Sequence, residues 1–148
     1  MKILIDADGC PVVDITVRIA KEHNIECYIL CDTSHVFEKK GATTLTFSKG
    51  ADSVDFALVN RVSTGDIVIT QDYGLAAMCM SKKAVVVNQD GMEYTDGNID
   101  ALLLARHTAK KIRNSGGRLK GPSKRASSQD EQFKSALIRL MDSERGEL

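Results

Sequence analysis

The sequence predicts a single α/β domain built on a mostly parallel sheet with helices on both faces. Three observations carry that expectation. Short apolar runs rich in β-branched residues, Ile3-Leu-Ile5, Ile67-Val-Ile-Thr70 and Ala84-Val-Val-Val87, read as strands buried on both sides. Stretches of helical periodicity alternate with them, the pattern of β-α-β units. The 148 residues also suit one domain with a sizeable core.

The first strand, Ile3 to Ile5, ends in Asp6 and Asp8, and Gly9 permits a sharp turn after them. Pro11 suits a first helical position, and Cys10, restricted by the proline that follows it, is expected at the N-cap. Residues 11–23 then read as a helix with Val12, Val13, Thr16, Val17 and Ala20 on one face, widened by Ile15 and Ile19. Such breadth calls for burial on more than one side, and a second copy of the chain in a homodimer would supply it. Residues 26–31 form the second strand and 43–47 a third. A helix runs from about Asp52 to Val62, broken by Thr64-Gly65, and the 67–70 strand follows. Next come a helix from about Leu75 to Ser81, the 84–87 strand, turn residues at 94–98, and a long helix from Ile99 to about Arg113. Residues 115–128 form a Gly/Ser/Lys/Arg-rich segment expected to be a flexible loop. Ser128-Gln-Asp-Glu131 matches a capping box opening a final amphipathic helix along Phe133, Ala136, Leu137, Leu140 and Met141. The division is therefore an α/β domain at 1–114 and a basic segment with a C-terminal helix at 115–148.

The acids sort by sheet edge. Asp6 and Asp8 follow the first strand, Asp32 the second, Asp72 the 67–70 strand and Asp90 the 84–87 strand, all at carboxyl ends, where ligands of open α/β sheets gather. Asp52 and Asp55 share a helix face at i, i+3 near the same edge. Asp66 precedes its strand and belongs at the opposite end as a turn residue. Neighbouring carboxylates repel, and a hard divalent cation held by oxygen ligands relieves that conflict. The plainer roles for these acids are helix caps and turns.

Net charge is zero, yet residues 1–100 carry 9 Lys+Arg against 15 Asp+Glu, whereas residues 101–148 carry 11 against 5. An acidic body followed by a basic segment suggests a metal site beside a polyanion-binding surface. Arg106, Lys110 and Arg113 recur at i, i+4 and i+7 as a basic stripe, and Lys49, Arg118, Lys120, Lys124 and Arg125 extend the candidate contacts to a nucleic-acid backbone. The competing view is a solvated helix face with a solubilising tail. No stretch has the length of a membrane span and no charged-then-apolar leader appears, so a cytoplasmic protein is expected. The four cysteines lack paired spacing and are expected reduced and mostly buried. His23, His35 and His107 show no ligand spacing, and Asp6 and Asp8 oppose a thiolate at Cys10. Tyr73 beside Asp72 could stack a base, with rim packing its plainer role.

Several motifs in order carry a resemblance. Asp6-Ala-Asp-Gly-Cys-Pro11, Gly50-Ala-Asp-Ser-Val-Asp55, Gly65-Asp-Ile-Val-Ile-Thr-Gln-Asp72 with Gly74-Leu-Ala76, Asn98-Ile99, Gly121-Pro122 and the Asp130 to Phe133 region resemble the bacterial YaiI/YqxD family across nearly the whole chain. That family is similar to PIN-like domains, a Rossmann-like fold. Their nucleases place acids after the first strand, in a mid-chain helix and in a Thr-x-Asp after a later strand. The resemblance implies an acid cluster of Asp6, Asp52 or Asp55, and Asp72, with Asp8 as an addition. Mg²⁺ or Mn²⁺ held there would assist phosphodiester hydrolysis of RNA or another single-stranded nucleic acid. Two alternatives stand beside it. Ile5-Asp-Ala-Asp-Gly9 looks like the first motif of haloacid-dehalogenase-type phosphatases, with Asp6 as nucleophile, Asp8 as acid and Thr33 or Ser34 holding phosphate. The other is a non-catalytic RNA- or ribosome-binding module.

Overall fold

A computed structural model describes residues 1–32, 38–48, 53–116 and 124–146. The strands are β1 (Lys2–Asp6), β2 (Glu26–Asp32), β3 (Thr43–Phe47), β4 (Ile67–Ile69), β5 (Val85–Val87) and β6 (Glu93–Tyr94). The helices are α1 (Val13–Glu22), α2 (Ser53–Arg61), α3 (Tyr73–Ser81), α4 (Ile99–Asn114) and α5 (Ser127–Arg145). The six strands form one sheet in the order β3-β2-β1-β4-β5-β6, parallel except for the antiparallel edge strand β6. The expected mostly parallel α/β domain is what forms, and it is consistent with a PIN-like, Rossmann-like fold.

The central strands are buried on both faces, which explains their unbroken apolar runs. Ile3, Ile5, Cys27, Ile29, Ile67 and Ile69 point to one side, where they pack with α1 and α5. Leu4, Leu30, Val68 and Val86 point to the other, where Ala57 and Leu58 of α2, Leu75 and Cys79 of α3 and Ile99 of α4 cover them. Alternation continues past the apolar residues: Asp6 and Thr70 fall in register with Leu4 and Val68, on the side of α2 and α3. The chain builds β1, β2 and β3 outward in one direction, then returns to place β4 on the other side of β1. The β1/β4 boundary is thus the topological switch point, the place where open α/β sheets leave a crevice at their carboxyl edge.

Several local expectations change. Cys10 is not the N-cap of α1. Its N–H donates to the Ala7 carbonyl at 3.0 Å in a turn shaped by Gly9 at φ +74°, and the helix starts only at Val13, with Val12 at the cap. Pro11 correspondingly sits in that turn. α3 begins at Tyr73, two residues earlier than expected, because Asp72 caps it. Tyr94, read as the start of a turn region, instead pairs with β5 together with Glu93. The final helix opens two residues before the proposed Ser128 box: Gln129 Oε1 accepts the Ala126 N–H at 2.7 Å, so the glutamine half of a capping box operates at an alanine.

α5 docks through Phe133, Leu137, Leu140 and Met141, all buried in the cluster shared with α1. This helix of the same chain covers part of the broad apolar face of α1. Arg125 fixes the approach. Its guanidinium donates to Asp130 at 2.8 Å, Asp90 at 2.8 Å and the Gln89 carbonyl at 2.7 Å. Gly91, at φ +88°, lies so close that a Cβ would stand 2.8 Å from the Gln132 carbonyl oxygen. Among the described residues no helix is long and apolar enough to cross a membrane. No disulfide joins any of the four cysteines.

Candidate functional site

At the switch point the carboxyl edge opens into a cleft of about 620 Å³. Asp6, Asp8, Asp55 and Asp72 line it, together with Asp32, Tyr73 and Arg106. They arrive from separate pieces of chain: Asp6 ends β1, Asp8 follows in the turn, Asp55 lies in the first turn of α2, and Asp72 sits between β4 and α3.

Thr70 links two of the acids. Its Oγ1 donates to Asp6 Oδ2 at 2.7 Å and accepts the Asp72 N–H at 3.0 Å. Asp72 Oδ1 in turn accepts the N–H groups of Gly74 at 2.9 Å and Leu75 at 3.1 Å, capping α3. Arg106 Nη1 approaches that same oxygen at 3.3 Å. Across the cleft Asp8 Oδ2 accepts the Asp32 N–H at 3.2 Å, and Gln71 Nε2 donates to the Gly9 carbonyl at 2.9 Å, tying the β4 edge to the β1 turn. A backbone donor, a hydroxyl or a helix cap therefore orients Asp8, Asp6 and Asp72 respectively.

Asp6 carries the electrostatic cost. Burial, with smaller contributions from Asp55, Asp72 and Asp8, raises its pKa from 3.8 to about 6, while the Thr70 hydrogen bond pulls the other way. Cys10 is pushed up to about 11, chiefly by burial with Asp6 adding, so the thiol is no nucleophile at neutral pH. The acids were expected to oppose that thiolate, but burial is the larger cause.

Asp6, Asp8, Asp55 and Asp72 thus meet in one cleft, and Asp66 is at the far end as expected, buried against Lys2 Nζ at 2.6 Å. Asp52, Lys49, Arg118, Lys120, Thr33 and Ser34 lie outside the described residues. Arg106 reaches the cleft, whereas Lys110 and Arg113 are exposed further along α4. Arg125 is no spare basic contact, being committed to Asp90 and Asp130. Tyr73 packs edge-on against Tyr94 with centroids 5.9 Å apart, the rim role rather than an open stacking platform. Sequence reasoning left three participants out of the site: Asp32, Gln71 and Thr70. Asp32 had been placed at this edge, and Thr70 was visible in Thr70-Gln-Asp72, so their positions were legible even though their hydrogen bonds were not.

Among the described residues no group of three His, Cys, Asp or Glu side chains forms a metal cage. The donor chemistry still suits Mg²⁺ or Mn²⁺. Mg²⁺ keeps several waters and takes one or two carboxylates plus substrate phosphates, so an open cleft of oxygen donors fits it better than it fits zinc.

The model of the uncharacterised YaiI/YqxD family matches residues 4–143. A UPF0178 protein of Exiguobacterium sibiricum is 51% identical over 141 residues, covering 95% of this chain and 96% of its own. Similar proteins of the same name occur in Clostridium acetobutylicum, 47% identical over 95% of this chain and 97% of that one, and in Ruminiclostridium cellulolyticum, 49% identical over 93% and 90%. No solved structure matches the chain.

Proposed function

The chain belongs to the YaiI/YqxD family, and from that premise we propose that it is a metal-dependent nuclease hydrolysing phosphodiester bonds of RNA or another single-stranded nucleic acid. The observation that carries the reading is the convergence of Asp6, Asp8, Asp55 and Asp72 on one cleft at the sheet's switch point, with Arg106 on its wall. A bound Mg²⁺ or Mn²⁺ would supply positive charge against the phosphate and make a water more acidic. Asp6 and Asp8, and Asp72 across the cleft, are the residues to hold it. Thr70 fixes the Asp6 carboxylate, the α3 cap fixes Asp72, and the Asp32 N–H fixes Asp8, so little rearrangement is needed to present them. Arg106 can exchange Asp72 for a phosphate, which its planar fork suits.

The test is cleavage of end-labelled single-stranded RNA and DNA in millimolar Mg²⁺ or Mn²⁺. Wild type should cut at least one of them, and both Asp6→Asn and Asp72→Asn should abolish cutting. Asparagine still caps a helix well, so the second variant keeps the fold. Cleavage surviving both substitutions would assign the activity elsewhere. Salt-sensitive binding with neither cleavage nor metal dependence would instead indicate the non-catalytic RNA-binding module. The phosphatase alternative would use Asp6 and Asp8 of this same cleft, and a trapped aspartyl-phosphate on Asp6 would favour it.

A further inference from the structure

Beside the acid cleft lies a second, more apolar hollow of about 320 Å³, lined in part by Phe56, Leu75 and Met78. Asp55, Asp72 and Arg106 line both cavities, so the two adjoin. Phe56 follows Asp55 directly on α2 and is 61% exposed; Met78 of α3 is 38% exposed, and buried Leu75 lines the hollow with them. A large aromatic left open to water on a short helix does nothing for the core. Phe56 and Met78 lie outside both core clusters and line one hollow together, next to the cationic Arg106 and the acid cleft.

Resting on the nuclease reading, we propose that this hollow is a base subsite: an unpaired nucleobase stacks on Phe56 and Met78 while Arg106 holds the phosphate between that base and the acid cleft. The occupant follows from chemistry on both sides. An apolar, flat ligand fits the Phe56 side, and an anion fits Arg106, the cation common to both walls among the described residues. A nucleotide unit joins those two groups covalently. Stacking on an aromatic ring takes any base, because every base has a π-face, so the subsite selects single strands over duplex rather than one sequence over another.

The test measures binding of the full chain in the presence of chelator, so that it does not depend on turnover. Two labelled oligomers of equal length are compared by fluorescence anisotropy, one of deoxythymidylate and one of abasic sugar-phosphate. Wild type should prefer the base-bearing oligomer by about tenfold, the effect of stacking one base. Phe56→Ala should bring that preference close to one with the affinity for the abasic oligomer unchanged. The chain contains no tryptophan, so Phe56→Trp installs a single indole, which should preserve the preference and be quenched by the base-bearing oligomer alone. Equal wild-type affinity for the two oligomers, or a preference that survives Phe56→Ala, overturns the subsite and leaves the nuclease reading standing. Failure of both oligomers to bind overturns the subsite together with the polyanion surface. A wild-type oligomer that Phe56→Ala converts to monomer on size exclusion makes the patch an interface between copies, and also overturns it.

Discussion

Replacing Asp6 by Asn should stabilise the metal-free protein at neutral pH and leave it unchanged near pH 4. The raised pKa means that the folded state holds a proton on Asp6 where the unfolded chain has released it, so the penalty is absent below 3.8 and complete above about 6. A shift of about 2 units corresponds to about 3 kcal/mol, because each unit is worth about 1.4 kcal/mol. That figure is an upper value. Denatured chains keep residual structure, and asparagine must re-form the 2.7 Å contact from Thr70 through its own carbonyl. Its amide would face the remaining acids as a donor, replacing repulsion with attraction. For a chain of this size the gain amounts to roughly 5–10 °C in melting temperature. The assay is urea unfolding in chelator at several pH values between 4 and 8, with the difference between Asp6→Asn and wild type plotted against pH. It should rise from near zero and level off above pH 6. Adding millimolar Mg²⁺ or Mn²⁺ at pH 8 should then raise wild type and not the variant, narrowing the gap. A flat difference across this window, or a variant less stable at pH 8, would refute the claim that Asp6 is held charged at a cost.

Replacing Arg106, Lys110 and Arg113 together with Ala should weaken binding to all single-stranded sequences and flatten the slope of log affinity against log salt by about one unit per lost phosphate contact; an unchanged slope reduces the stripe to a solvated face. Gly91→Ala should cost about 2 kcal/mol or more in urea unfolding, because its Cβ would stand 2.9 Å from that of Ala136 on α5 at a backbone φ of +88°. Arg125→Ala should cost about 2 kcal/mol, because it removes three charge-assisted contacts, and should speed hydrogen exchange in α5 more than in β1.

The sheet and its acid edge were legible because both are written locally. Ile3-Leu-Ile5 and Ile67-Val-Ile69 are apolar on both faces, and a strand so buried must end where Asp6 and Asp72 stand. What stayed hidden depends on partners distant in sequence. Arg125 in a run of basic residues looks like spare charge until the fold brings Asp90 within 2.8 Å. The β6 strand has two residues, too few to display a period, and its pairing with Val86 and Val87 is set by the turn at Gly91. The start of α1 was misread for a different reason. Val12 supplies no side-chain cap, so the signals at Cys10 and Pro11 pointed two residues too early.

The charge asymmetry of the sequence also changes meaning once Arg106 is seen on Asp72. A cation paired with a carboxylate would ordinarily count as a stabilising bridge. This pair spans 3.3 Å, with the arginine side chain 56% exposed, and an exposed bridge of that kind is worth about 1 kcal/mol or less. The bond to Asp72 is therefore cheap to surrender, whereas bidentate contact with a phosphate is strong. Asp72 loses little when Arg106 leaves, because the Gly74 and Leu75 N–H groups still hold the same oxygen. An arginine bound weakly at the mouth of an acid cleft, over a carboxylate anchored without it, is arranged to be displaced. On the nuclease proposal, an anionic ligand would take the arginine and leave Asp72 beside the other carboxylates for a cation, while the present bridge offsets only part of the repulsion that Asp6 meets from its neighbours.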